Sequence, residues 1–455
     1  MGELTVTPFA APRVWRRLGA AATCALLSLL FVAGPAAAAS VTFGTGSATS
    51  TFGTSIDFSQ PYSGAIKSAS ILITTPDSVG PTIVAIDNPG SSLLTFSMDT
   101  STGAVDPFAP VVGKFEVVLS DGTVQDGPDI KITYADDRFQ WHVKVGKVVR
   151  LHYIDASDSF AADMLTLADG GVTKAAAMFG VTETQPIDYY VYPSQSAFQQ
   201  GLSEPGTIGG VALASYRTCF ATVAPNDTSY AAQVMPHEPT HIVFADATDN
   251  PYHTPPRWLN EGFAQYVAQA YDPDSRSLVS QAAQEGTLPS LLALTDYFPL
   301  DSDRIYLAYA ESVGAADFMV RKYGKPAVLK LVQAFKKGDT NDEAFVAGLG
   351  VNVAAFDAAF LADNHATSKK YGPQAEPTGP LPPGWNGTAG GGASAGSTPG
   401  PNVTEPPTGS NGRTLPGHTS DPVLLVLAGI MALAGVMLLG IATVMFLSPR
   451  GKTIR

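Results

Sequence analysis

The sequence predicts a multidomain chain. An all-β, sandwich-like domain comes first, then an α+β domain with a helical C-terminal half, then a disordered stalk and a single C-terminal transmembrane helix. Three observations carry this. Short alternating runs rich in Thr, Ser, Val and Ile fill residues 40–135. Segments of helical length and period dominate from about residue 156. Past residue 370 the composition shifts to Pro, Gly, Ser and Thr, until an uncharged apolar run of bilayer length appears.

Residues 1–39 read as a secretory signal peptide. Arg13, Arg16 and Arg17 precede the apolar run "LGAAATCALLSLLFVAG", and Ala37-Ala38-Ala39 supplies a small-residue cleavage site before Ser40. In 40–135, the runs "SASILITT", "PTIVAID", "GKFEVVLSDG" and "DIKITYA" are separated by turn residues, the rhythm of a β-sandwich. The second domain is predicted over 136–370. "DDRFQWHVKVGKVVRLHYID" continues as strands, "FAADMLTLADGGVTKAAAMFG" is an amphipathic helix, "IDYYVYP" is a buried strand, and "TIGGVALASYRTCFATV" is one or two strands. Helices follow at the segments containing His237, Trp258, Tyr309, Leu329, Phe345 and Phe356, with Gly324, Gly338 and Gly348 near their ends as caps. Residues 371–421 cannot bury a core and read as a flexible stalk.

Residues 422–447 contain "VLLVLAGIMALAGVMLLGIATVMFL", which spans about 37 Å as a helix, enough for a bilayer. The tail, 448–455, carries Arg450, Lys452 and Arg455, and positive charge after the span points to a cytoplasmic side. The expected location is therefore a single pass through the plasma membrane, with the body outside. A sortase signal is the rival reading, but "LPGHT" at Leu415–Thr419 lacks the threonine and glycine of that motif where they are needed. The formal net charge of -13 argues against a nucleic-acid partner. Cys24 falls within the signal peptide, so Cys219 has no partner for an internal disulfide and reads as a buried thiol.

The chemistry concentrates in "VMPHEPTHIVF", Val234–Phe244, which contains His237-Glu238-Pro239-Thr240-His241, an H-E-x-x-H pattern. On a helix the two histidines lie at i and i+4 and point from one face, the arrangement that offers two ligands to zinc. A catalytic zinc needs three protein ligands and an open position. "PPRWLNEGFAQYVAQ" supplies Glu261 on a second predicted helix, far enough downstream for the chain to turn and return antiparallel. Glu238, beside His237, faces the place of an activated water and is the candidate general base. Tyr309, in "YAES", or Tyr306 one turn earlier, is the candidate hydrogen-bond donor to a developing oxyanion. Gln265, one turn after Glu261, either orients a histidine or faces solvent. His142, His152 and His253 read as structural or exposed.

The pair "HEPTH" and "WLNEGFAQYV" strongly resembles the gluzincin metallopeptidases, which include thermolysin and the membrane-alanyl-type aminopeptidases. The nearer resemblance is to the bacterial peptidase MA-like family, supported by the "DDRFQW" join, the "GGVA" strand at Gly209–Ala212 and the "YAES" helix; it covers roughly Asp136–Asp363. It implies a thermolysin-like fold for the second domain, one zinc held by His237, His241 and Glu261, Glu238 as base, and a protein or peptide substrate.

Two departures stand out. Pro239 sits where such proteins carry a helix former, and no G-x-M-E-N motif precedes the histidines. The second departure favours an endopeptidase over an aminopeptidase. The alternatives are a non-catalytic surface binding or adhesion module on a degenerate scaffold, and hydrolysis of a non-peptide amide. Pro236 and Pro239 restrict the helix to two courses. Either it begins close to His237, or it runs from about Ser229 and kinks near Met235.

Overall fold

The computed structural model describes residues 40–367, apart from 77, 88, 203–208, 300 and 301. The expected signal peptide, stalk, transmembrane helix and tail lie outside the described residues. Among the described residues no single helix is long and apolar enough to cross a membrane.

The first part is built from nine strands, β1 (Thr42–Phe43), β2 (Ser47–Thr51), β3 (Ser55–Ser63), β4 (Ser68–Thr74), β5 (Thr82–Ile86), β6 (Leu93–Asp99), β7 (Pro110–Val118), β8 (Val124–Asp126) and β9 (Ile130–Thr133). They form two antiparallel sheets. One has the order β1-β3-β2 with β6 also on β3, and the other β5-β4-β7-β8 with β9 also on β7. Burial alternates along the strands, as period-2 side-chain geometry requires. Ile56 and Phe58 of β3, Ile71 of β4, and Val111, Phe115 and Val117 of β7 turn inward and make one apolar core.

The second part carries a mixed five-stranded sheet, in the order β10 (His142–Val145), β11 (Val149–Tyr153), β12 (Ile187–Tyr192), β14 (Thr218–Thr222) and β13 (Gly210–Leu213). β11, β12 and β14 are parallel, so a crossover must join β11 to β12. Helix α1 (Asp158–Phe179) provides it, started by the Ser157 cap and ended by Gly180 in the left-handed conformation. The remaining helices are α2 (Gln195–Leu202), α3 (Thr228–Thr248), α4 (Arg257–Gln269), α5 (Pro273–Glu285), α6 (Ser302–Tyr323), α7 (Lys325–Lys336), α8 (Asn341–Leu349) and α9 (Val353–Asp363).

The sequence reading foresaw neither α2 nor α5. The first is too short to show a period. The second carries a legible start, with Asp272 accepting from the Asp274 and Ser275 amides and Pro273 in the first turn. The cap of α8 is Gly350, at φ 76°, rather than Gly348. Gly348 lies inside α8, where a Cβ would come within 2.7–2.8 Å of Leu331 atoms in α7, so it serves close helix packing instead.

The two parts meet at an aromatic seam. The ring of Phe108 stacks on Tyr190 with centroids 3.6 Å apart, and Trp141 stands edge-on to Phe108 and Tyr190. The predicted "DDRFQW" join is anchored by Asp136, whose buried carboxylate accepts from Arg138 and from the Tyr192 hydroxyl, while its carbonyl accepts from the Trp141 indole. A buried charge of this kind is tolerated because it is paired and hydrogen-bonded.

Candidate metal centre

Helix α3 sits at the centre of the second part. Every residue from Val234 to Phe244 is buried, so the helix has no solvent stripe and no amphipathic signature. It begins at Thr228, where Asp227 accepts from the Tyr230 amide, so of the two expected courses the late start near His237 does not occur. Both prolines fall inside it. Each removes an N–H, leaving the carbonyl four residues earlier without its helical donor. Neighbouring side chains bind other carbonyls of this segment: Tyr189 donates to Val234 O at 3.0 Å and Thr240 Oγ1 donates to Pro236 O at 2.8 Å.

Gly171 lets α1 approach α3 at this point. A Cβ there would lie 2.5 Å from Pro236 Cα and 2.7 Å from its carbonyl oxygen. The second glycine of "LADGGVTK" thus marks where the central helix is clasped.

The helix directs His237 and His241 towards α4, which returns alongside and presents Glu261. The Nε2 atoms of the two histidines are 3.1 Å apart, and Glu261 Oε2 lies 3.7 Å from the first and 3.5 Å from the second. Among the described residues these three form the group of donors able to hold a metal, and all three are buried. The triangle fits zinc. With bonds of ~2.0–2.1 Å, a tetrahedral site has ligand–ligand edges of about 3.3–3.4 Å, close to the three separations. Glu261 Oε2 has no hydrogen-bond partner, so a donor atom is left aimed at the centre of the triangle.

The surroundings set the charges. Burial disfavours ionisation of Glu261, but His241, His237 and Arg257 outweigh it and hold the carboxyl at about 2. Burial, reinforced by His237, holds His241 down at about 4, so its ring is neutral and able to ligate at neutral pH. For His237, burial opposes protonation, but the carboxylates of Glu261 and Glu238 prevail and raise it. Burial pushes Glu238 up to about 8; His237 opposes this and Glu261 adds to it.

Glu238 lies against β13, where a Cβ on Gly210 would fall 2.7 Å from its Cδ. Among the described residues β13 pairs with β14 on one side and ends the sheet on the other. Glu238 thus lies against this last strand at Gly210.

Of the other residues singled out in the sequence, Tyr309 is 5% exposed, with its hydroxyl lacking a hydrogen-bond partner. Its acidity is lowered first by burial and then by the Glu261 carboxylate, with Arg257 opposing, which brings the phenol into the same cluster. Tyr306 is half-buried and packs on the main core. Gln265 is buried next to His237, and Trp258 and Phe263 are core residues. Cys219 is a buried free thiol. His152 hydrogen-bonds Asp188 at 2.7 Å, and His253 is exposed.

Two members of the site were not foreseen. Asn260 Oδ1 lies 2.9 Å from Nδ1 of His241, which fixes the tautomer that leaves Nε2 free for a metal. Arg257 lies 3.3 Å from Glu261 Oε1. Both stand within four residues of Glu261 in "RWLNE": Arg257 reaches Glu261 within α4 at i,i+4 spacing, which the sequence could have shown, whereas the reach of Asn260 to His241 depends on how α4 docks on α3.

Residues 167–364 match the peptidase MA superfamily. No curated protein matches the chain. Among solved structures, an aminopeptidase N family protein from Idiomarina loihiensis is 10% identical, with 73% of this chain and 76% of that chain covered and a TM-score of 0.40. An M1 zinc metallopeptidase from Deinococcus radiodurans is 12% identical, with 74% and 96% covered and a TM-score of 0.33.

Proposed function

We propose, from the match of residues 167–364 to the peptidase MA superfamily, that the protein is a zinc-dependent metallopeptidase cleaving within peptide chains. The observation that carries the reading is the buried triangle of His237, His241 and Glu261 with Glu238 beside it. The three donors would hold one zinc, which supplies Lewis acidity towards water and the scissile carbonyl.

The chain's own residues then divide the work. Glu238 takes a proton from water and passes it to the leaving amine. Positive charge held at the triad would favour the carboxylate form of Glu238, the form a base needs at neutral pH. Tyr309 donates its free O–H towards the developing oxyanion. An extended peptide adds to the outer edge of β13 through backbone hydrogen bonds, which carries its carbonyl past Glu238. Endopeptidase action is supported by the sequence, which lacks a G-x-M-E-N motif to hold a free amine. The reading includes display outside the plasma membrane on residues 422–447, supported by their lack of charge and the basic residues that follow.

The test uses purified protein and internally quenched peptides with free or acetylated N-termini. We expect about one zinc per chain, cleavage of both peptide sets at internal bonds, loss of activity with a chelator and recovery with zinc. A protein that binds zinc but cleaves only free N-termini would be an aminopeptidase. One that binds no zinc and cleaves neither set would return the chain to the binding-module alternative.

Asn260 gives an independent expectation. Asn260→Ala should weaken zinc binding by about 10–100-fold, the usual consequence of removing a histidine's outer partner. Competition with a chromophoric chelator measures it, and an affinity within a factor of about two of the parent would remove Asn260 from the site.

A further inference from the structure

The two oxygens of Glu261 face different neighbours. Oε2 points between the histidine Nε2 atoms, while Oε1 lies 3.3 Å from the Arg257 guanidinium one helical turn earlier. Both side chains are nearly sealed from solvent, at 9% exposure for Arg257 and 2% for Glu261. Arg257 is also held from other directions. Its backbone N–H donates to Thr295 O at 2.7 Å, and its guanidinium lies over the Phe298 ring, 5.1 Å from the centroid. Phe298 in turn meets Tyr309 edge-on at 5.0 Å.

A carboxylate free to turn can offer both oxygens to a divalent cation. The second oxygen would then add to the coordination sphere and crowd the position that water needs in a catalytic site, which must keep one place open. An ion pair to one oxygen opposes that rotation, and a guanidinium held over an aromatic ring at the start of α4 is placed to supply it.

We propose that Arg257 is a positioning residue that keeps Glu261 a one-oxygen ligand, preserving the open coordination place. The proposal rests on the reading of His237, His241 and Glu261 as a zinc set. Lysine cannot replace it, because a compact ammonium on a different stem lacks the planar fork.

The test compares the parent protein with Arg257→Met, which keeps an apolar stem against Phe298, and with Arg257→Lys, which keeps the charge. Each is titrated with zinc against a chromophoric chelator. Each is also loaded with cobalt(II), whose visible absorption weakens as coordination rises above four. We expect the parent to bind one equivalent with an intense band. Both variants, with parental circular dichroism, should bind about 10–100-fold more weakly and show a weakened band. If Arg257→Met does not fold, the lysine variant carries the same comparison.

Parental affinity and an unchanged band in the variants would overturn the positioning role. A rise in KM alone would then assign Arg257 to substrate binding. A parent protein that takes up neither metal would instead overturn the underlying reading of the triad, and this is visible before any variant is compared.

Discussion

Replacing Glu238 by glutamine should abolish hydrolysis while leaving the metal and the fold in place. The expected fall in kcat is about 10²–10⁴-fold, the range for loss of a positioned acid–base group. Glutamine has the same shape, so it fits the place Glu238 takes beside Gly210. Glu238 stands outside the ligand triangle, so zinc content should stay at about one per chain. The fold should tolerate the change, because burial already disfavours the charged form of this carboxyl. Glutamine removes a group that the site shelters at a cost. Metal analysis, thermal unfolding and turnover of a quenched peptide check the three parts. Turnover within tenfold of the parent would show that another group takes the proton.

The largest expected effect on stability comes from two adjacent glycines of α1. Gly171→Ala places a methyl group 2.5 Å from Pro236 Cα, with backbone rather than a flexible side chain in the way. The helices must part, at a cost of about 1–3 kcal/mol by the usual scale of overpacking, and α3 moves with its histidines. Gly170→Ala should do the reverse. No atom lies within 4 Å of a Cβ there, so alanine should gain roughly 0.5–1 kcal/mol from its better helix propensity. Denaturant midpoints of the two variants, with zinc affinity measured alongside, should move in opposite directions. If they move together, the clasp on Pro236 is not a constraint.

How far the sequence could be read depended on the kind of signal. The strands of the first part announce themselves, because each has one dry face and one wet face, as the alternation in β7 shows. The triad was legible because H-E-x-x-H is a helix-period statement and Glu261 sits in an equally regular helix. The course of α3 was not fully legible. A segment buried on every side has no polar face to mark its limits, and its two prolines left two courses open, a start close to His237 or a run from about Ser229 kinked near Met235. What the sequence could not display is that the upstream start holds and that Tyr189 and Thr240 bind carbonyls of the proline segment. Asn260 belongs to the same class of omission, an ordinary residue of an exposed-looking helix start until α4 is laid against α3 and it meets His241. Arg257 differs, because its pairing with Glu261 is an i,i+4 spacing within α4 that "RWLNE" displays.

The edge of β13, unpaired among the described residues, has a consequence for the choice of victim. A substrate that must lie along a strand edge is recognised through its main chain, whose donors and acceptors recur in every sequence. The proposed enzyme would therefore discriminate less by side chain than by conformation. A helix has already spent its N–H and C=O groups internally and cannot pair with β13. Cleavage of a folded protein should then follow the free energy of local opening at the cut site. The protein would act as a sensor of unfolding, its selectivity residing in the instability of what it meets.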